Sequence, residues 1–362
     1  MKIAQVAPLV ESVPPKLYGG TERIVAYLIE ELMRQGHDVT LFGSGDSTAS
    51  TELVPCSERA LRHDHRVQDA LPYHLAMLDK VHRRADTFDI LHFHISLLHF
   101  PMFRDMAHKS VTTLHGRLDL PDLPAFHASF PEIPLVSISN EQRRWLPGPL
   151  NWVGTVHHGL PLDLLRFTSK PAGNYLAFLG RVSPEKGLDR AIAIAAKAGL
   201  PLMIAAKIDA VDQAYWEQVL RPLIRAHRDV EFIGEISEPQ KSDFLGNART
   251  LLFPIDWPEP FGIVMIEAMA CGTPVIAYRC GSVPEVVENG ISGFVVCDME
   301  EAVSAVHIVH GLNRADVRRA FERRFTAERM ARDYVSIYER LVRHRVPVSR
   351  VFAERTGAAA IA

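Results

Sequence analysis

WPEPFGIVMIEAMACGTPVIAY, residues 257–278, runs from a Pro-rich loop through Gly262 into an apolar stretch, IVMIEAMA, that reads as a helix. Cys271-Gly272 ends that helix and TPVIAY reads as a buried strand. A helix that follows a Gly-containing loop presents unpaired N–H groups to an anion. Two carboxylates interrupt the apolar run: Glu259 just before the helix and Glu267 inside it, flanked by Met265, Ile266, Ala268 and Met269. Glu267 either accepts paired hydrogen bonds from vicinal hydroxyls such as those of a ribose, or snorkels from a half-buried helix, or partners an arginine.

The alternation of helix and strand extends in both directions. KIAQVAP precedes TERIVAYLIEELMRQG, where Ile24, Leu28 and Leu32 recur every four residues beside Val25 and Ile29, one apolar helix face that Gly36 terminates. DVTLFGSG, the helical LPYHLAMLDKVHRR, DILHFHIS, SVTTLHG and PLVSIS follow. Residues 157–174 are rich in turn formers, after which YLAFLGR, LDRAIAIAAKAG, LPLMIAAK, VEFIGEIS, RTLLFPI, TPVIAYR and GFVVCD resume the pattern. The strands are apolar nearly throughout, as parallel strands covered on both faces must be. The fold class is therefore α/β: two doubly wound parallel-sheet, Rossmann-like domains facing a central cleft. The expected boundaries are 1–159 for the first domain, 160–173 for a linker, 174–346 for a second domain carrying the amphipathic helix AERMARDYVSIYERLVRHR, and 347–362 for a tail.

Bulk composition excludes several classes. The 40 basic and 43 acidic residues give a net charge of −3, so no field of one sign recruits nucleic acid. No run approaches the roughly 20 apolar residues that cross a membrane. MKIAQVAPLVES has no small-residue cleavage site and reads as a strand, not a signal peptide. Cys56, Cys271, Cys280 and Cys297 show no C-x-x-C spacing and read as reduced, packed thiols of a cytoplasmic protein.

Four further stretches carry chemistry. In FLGRVSPEKGLDRAI, Arg181 and Lys186 bracket a strand-to-helix turn, where a guanidinium fork and an ammonium suit a diphosphate. In PPKLYGGTERIVAYL, Gly19-Gly20 precede a helix with Thr21 as the expected N-cap and Glu22 in its first turn. In TTLHGR, His115 ends a strand on the cleft side, placed to donate to a sugar hydroxyl or a phosphate. In DILHFHIS, His92 and His94 share a strand face, a zinc-compatible spacing with no third ligand, so cleft-lining or structural roles are expected. LFGSGDST is not a nicotinamide fingerprint, because Thr48 replaces the third glycine and the fingerprint belongs in the first βα turn. No Asp-x-Asp pair occurs, so Arg181, Lys186 and a helix N-terminus would neutralise a departing diphosphate without a metal.

The Glu259-x7-Glu267 element within EPFGIVMIEAMACGTPVIA, together with the upstream GRVSPEKGLDRAI loop, resembles the retaining glycosyltransferases of family 4, which have the GT-B fold. The resemblance spans nearly the whole chain, and PPKLYGGTERIVAYL with HDVTLFGSGDS is most similar to the branch holding the avilamycin glycosyltransferase. It implies a nucleoside diphosphate sugar donor, UDP-glucose or another UDP-sugar ahead of GDP and ADP sugars, and no cofactor or metal. Arg181 and Lys186 would hold the diphosphate, Glu267 the ribose and Glu259 the donor sugar. Backbone N–H groups of Phe261, Gly262 and Ile263 would touch sugar and phosphate, and the base would rest near Glu235 and Ile236. Gly19, Gly20 and His115 would line the cleft from the first domain. The implied catalytic group is Glu259, His115, Arg181 and Lys186, acting by front-face displacement with retention. Two positions depart from the family pattern: Ala206 stands where glycine is common, although Lys207 keeps a cation nearby, and His158 replaces an asparagine.

The acceptor is unspecified: a glycan, a lipid or a small molecule. It is expected to meet the loops VPPKLYGG, STASTELVPC and RLDLPDLPAFHASF, with Tyr18, Phe126 and Phe130 as stacking candidates. Arg318, Arg319, Arg323, Arg324, Arg340, Arg343 and Arg345 would allow at most peripheral contact with an anionic membrane, and interspersed Glu322, Glu328 and Glu339 favour a solvated face. Two rival readings are a GT-B nucleotide-sugar 2-epimerase, which needs no acceptor, and a non-catalytic nucleotide-sugar or glycan sensor. The intact Arg181, Lys186, Glu259 and Glu267 weigh against the sensor.

Overall fold

The computed structural model describes residues 1–343 apart from Tyr18. The stacking role expected of Tyr18, the residue Arg345 and the 347–362 tail lie outside the described residues.

Strands β1 (Lys2–Val6), β2 (Asp38–Ser44), β3 (Glu52–Ser57), β4 (Ile90–Phe93), β5 (Ser110–Leu114), β6 (Leu135–Ser137) and β7 (Trp152–Thr155) form one sheet in the order β3-β2-β1-β4-β5-β6-β7. Strands β8 (Leu176–Arg181), β9 (Leu202–Lys207), β10 (Val230–Gly234), β11 (Thr250–Phe253), β12 (Val275–Tyr278) and β13 (Gly293–Val296) form a second in the order β10-β9-β8-β11-β12-β13. Every pairing in both is parallel. Each order reverses once, between β1 and β4 and between β8 and β11, and ligands of doubly wound sheets bind at the carboxyl ends of the strands beside such a reversal.

The apolar strands are covered on both faces. Ile3, Ala4 and Val6 of β1 and Leu251 and Leu252 of β11 are essentially inaccessible to solvent. Helix α1, Gly20–Arg34, buries Ile24, Val25, Leu28, Ile29 and Leu32, the face its periodicity predicted. It starts two residues earlier than Thr21 capping would require: Gly19 is the N-cap and no side chain caps the first turn. Residues 156–175 carry no regular element beyond a single bridge, Leu160 to Thr326.

Two strands escaped the sequence pattern, and both are edges. β3 lies inside STASTELVPC, expected as an acceptor-side loop, and it carries Pro55 and exposed Glu52. Edge strands tolerate proline and polar residues because one side of their ladder is unpaired. β7 spans only Trp152–Thr155 and is half-buried throughout.

The terminal helix, Ala327–Arg343, was expected to belong with the second sheet. It crosses back instead: Tyr334 and Tyr338 are fully buried under the first sheet, and the helix packs beside α1. Arg329 anchors the crossing by donating to the His157 and His158 carbonyls at 2.7 and 3.0 Å. An amphipathic stripe states that one face is buried but does not name what buries it.

Candidate active site

A cavity of about 420 Å3 opens where the carboxyl ends of the two sheets face each other. That volume is within the usual range for small-molecule sites. Its lining contains Gly19, Gly20 and His115 from the first unit, and Arg181, Lys186, Lys207, Glu235, Ile236, Glu259, Phe261, Gly262, Ile263 and Glu267 from the second. The residues expected from sequence to bind the donor or take part in catalysis therefore line one cavity, although they are spread along the chain from position 19 to 267.

Glycines shape the second wall at two points. Gly262 is the N-cap of the helix Ile263–Ala270, with φ +75, and a Cβ there would lie 2.8 Å from the Met265 methyl and 3.1 Å from the Phe253 ring. No side chain caps that first turn; the Met265 N–H turns back to the Gly262 carbonyl at 3.0 Å, and the Ile263 and Val264 residues before it line the cavity. Gly187, φ +73, closes the turn after Lys186, where a Cβ would lie 2.1 Å from the Pro254 carbonyl oxygen.

The charged groups are paired across the cavity. Lys186 Nζ donates to Glu259 Oε2 and also sits 4.6 Å from the centre of the Trp257 ring. Glu267 Oε1 receives Lys241 Nζ at 2.6 Å and lies 3.6 Å from Arg23 Nη1. Arg23 and Lys241 also bind Glu238, at 2.9 and 3.1 Å. Arg181 faces Glu185 at 3.2 Å, Asp212 at 3.6 Å and Asp209 at 3.8 Å. Desolvation holds the Asp212 carboxyl above the usual range.

Several lining residues carried no signal in the sequence reading. Arg23 comes from α1 and Lys241 from the helix Glu238–Gly246, so the cluster around Glu267 joins the two units. The first wall adds Glu11, Glu22 and Arg62, with Arg62 Nη1 donating to Glu11 Oε1 at 2.7 Å. Desolvation raises the Glu22 carboxyl pKa. Glu22 was visible only as an acid in the first turn of its helix, Arg23 only as a polar residue of an amphipathic one, and nothing local marks Lys241.

His115 stacks on His158, ring centres 5.2 Å apart, and His158 packs edge-on to Phe261 at 5.0 Å. Burial lowers the His115 pKa to about 3 and drives that of His158 well below the ordinary value, so both are neutral. His92 and His94 do not form a metal site. Both are buried and hydrogen-bonded to protein groups, and among the described residues no cluster of three or more His, Cys, Asp or Glu is disposed to hold a metal ion. Phe126 and Phe130 pack at tilted angles against one another and, tilted or edge-on, against Phe100, away from the cavity lining.

Two family models match the chain: Glycosyltransferase Family 4 over residues 18–196 and Glycosyl transferases group 1 over residues 166–322. A phosphatidyl-myo-inositol mannosyltransferase from Propionibacterium freudenreichii is 27% identical over 317 residues, covering 76% of this chain and 77% of that protein. Among solved structures, AviGT4, a glycosyltransferase involved in avilamycin A biosynthesis, superposes with a TM-score of 0.71 at 24% identity, over 95% of this chain and 98% of its own. HepE from Anabaena, in complex with UDP and glucose, gives 0.69 at 18% identity, over 93% and 98%. Between them the two glycosyltransferase models span residues 18–322, and the chain is a glycosyltransferase with the GT-B fold. It is a transferase of sugars, built as two facing Rossmann-like units.

Proposed function

We propose that this glycosyltransferase takes its sugar from a nucleoside diphosphate sugar, UDP-sugar first, and transfers it with retention to an acceptor hydroxyl, without a metal, in the cytoplasm. The observation that carries the reading is the arrangement of Lys186 and Arg181 at one end of the cavity, the uncapped helix Ile263–Ala270 beside them, and Glu259 and Glu267 bracketing that helix start. Cations and N–H groups together can absorb the charge that develops on a departing diphosphate. UDP is favoured because the similar HepE fold was solved with UDP and with UDP-glucose.

In this reading Arg181 and Lys186 bind the diphosphate, Glu267 accepts the ribose hydroxyls, and the base rests against Glu235 and Ile236. Glu259 accepts from the donor sugar, while the N–H groups of Phe261, Gly262 and Ile263 face sugar and phosphate. Gly19 and Gly20 line the cavity from the first unit; a Cβ on Gly19 would lie 2.7 Å from Pro15 Cβ of the same loop, and one on Gly20 would make an ordinary contact with Ile263 at 3.5 Å. The acceptor hydroxyl attacks on the face from which the phosphate leaves, and the phosphate oxygen takes its proton. Closure of the units around the cavity excludes water and limits hydrolysis.

A thermal-shift panel of UDP, GDP and ADP in the presence of EDTA tests the donor side. One diphosphate is expected to raise the melting temperature in proportion to its occupancy, and Lys186→Ala to abolish the shift. A flat panel, or a shift that survives Lys186→Ala, would refute the assignment of the diphosphate. Product analysis then separates transfer from epimerisation, because an epimerase converts the donor with no acceptor present.

A further inference from the structure

Beneath the cavity, polar side chains lie side by side in the core of the first sheet. Gln5 on β1 and His92 on β4 are register partners, His94 follows β4 directly, and Thr113 sits on β5. Gln5, His92 and Thr113 are wholly inaccessible, and His94 is 3% exposed. Polar groups survive at that depth by bonding to one another.

The bonds form one chain from the terminal helix to the cavity. The Thr113 hydroxyl lies 2.9 Å from that of Tyr334 and 2.7 Å from His92 Nε2. His92 Nδ1 is 2.7 Å from the Tyr338 hydroxyl, to which Gln5 Nε2 donates at 3.4 Å. Gln5 Oε1 is 2.7 Å from His94 Nε2, and His94 Nδ1 is 2.9 Å from His115 Nε2.

This order of atoms dictates where the protons sit. An amide oxygen only accepts, so the single N–H of a neutral His94 is on Nε2. His94 Nδ1 is then an acceptor, and His115 must donate to it from Nε2. That leaves His115 Nδ1 as a bare lone pair, and this atom is buried with no hydrogen-bond partner. Desolvation keeps both rings from taking a second proton near neutral pH.

We infer that Gln5, acting through His94, is a positioning residue that holds His115 as its Nε2–H tautomer, so that His115 Nδ1 accepts a hydrogen bond from a sugar hydroxyl. The inference rests on the cavity being a nucleotide-sugar site, and it narrows the role of His115 there. A phosphate oxygen has no proton to offer and would meet lone pair against lone pair, so His115 serves the sugar and not the diphosphate. The Tyr338 hydroxyl accepts from Gln5 Nε2 at 3.4 Å, so the crossing of the terminal helix reaches the same chain of bonds. Turning the amide over would reverse the bonds and put the proton on His115 Nδ1.

The tautomer is read directly by long-range 1H–15N correlation on the full chain labelled with 15N-histidine, with His115→Asn providing the assignment. The expected result is a protonated Nε2 and an unprotonated Nδ1 on His115 near neutral pH. Gln5→Met is expected to mix the tautomers, to lower kcat for sugar transfer roughly tenfold at nearly constant donor KM, and to leave UDP binding unchanged, the effect of one lost hydrogen bond. A His115 protonated on Nδ1 in the unaltered protein overturns the inference, and this measurement decides even if Gln5→Met does not fold. So does a folded Gln5→Met protein that keeps the tautomer, or that loses UDP affinity in step with rate. If UDP fails to bind the unaltered protein while the tautomer is as stated, the nucleotide-sugar reading falls and takes the hydroxyl assignment with it, but the proton arrangement stands.

Discussion

Glu259 and Lys186 bind one another in the cavity, so a diphosphate that recruits Lys186 must compete with a carboxylate. The competition separates two effects usually lumped together. Glu259→Gln removes the competitor and weakens contact with the sugar. It is therefore expected to bind UDP at least as tightly as the unaltered protein while losing transfer about 100-fold, the scale on which removing one preorganised polar group lowers kcat. Isothermal titration with UDP beside a transfer assay measures both, and full transfer activity would remove Glu259 from the site. Lys241 poses the opposite case. It neutralises Glu267 at 2.6 Å, and Lys241→Met would leave that buried carboxylate with Arg23 alone at 3.6 Å. Breaking one partner of a buried pair is costly because the other charge stays behind. Its expected signature is a lower melting temperature together with weaker UDP binding; a change in neither would show that Arg23 suffices.

At the scale of elements, the site depends on two turns that only glycine makes without strain. Gly262 and Gly187 both have left-handed φ and both face atoms where a Cβ would sit. Alanine at a left-handed position costs on the order of 1–2 kcal/mol from backbone strain alone. The Gly187 Cβ would also press on the fixed Pro254 carbonyl, whereas the Gly262 Cβ meets the flexible end of Met265. Gly187→Ala is therefore expected to lose more stability in denaturant titration than Gly262→Ala. Gly262→Ala is expected to spend its cost on the helix start, weakening UDP binding at nearly normal stability. Equal destabilisation by both would contradict the distinction between a rigid and a yielding neighbour.

For the molecule as a whole, burial of neutral histidines sets the acid limit. His92, His94, His99 and His158 are nearly inaccessible, and desolvation lowers the pKa of each, to about 3 for His99. Unfolded histidines take up protons below about pH 6.5, and these folded ones do not until far lower. Below that pH the unfolded chain binds more protons, so stability falls as pH falls, by about 1.4 kcal/mol per unit for each ring. Chemical denaturation midpoints are expected to drop steeply from pH 7 to pH 5.5, and a flat profile would show that the rings charge without unfolding. The two units are also tied directly: Glu285 accepts from the Asn140 and Glu141 N–H groups at 2.8 and 2.6 Å, and Arg23 reaches Glu238.

What the sequence by itself determined is local and periodic. Apolar runs separated by helical spacing require parallel sheets covered on both faces, and a Gly-terminated loop before a helix requires exposed N–H groups. Arg181, Lys186 and Glu259 were legible because each sits at such a junction, and Glu267 because it is a carboxylate inside an otherwise apolar helix. Edge strands β3 and β7 were not, since an unpaired ladder edge relaxes the apolar pattern that reveals inner strands. Only the tertiary structure decided which distant groups meet: Lys241 and Arg23 at Glu267, and Gln5, His94 and Tyr338 behind His115. Those contacts join residues far apart in the chain, and no local periodicity records them, because a buried polar group is specified by the partner that satisfies it and not by its neighbours in sequence.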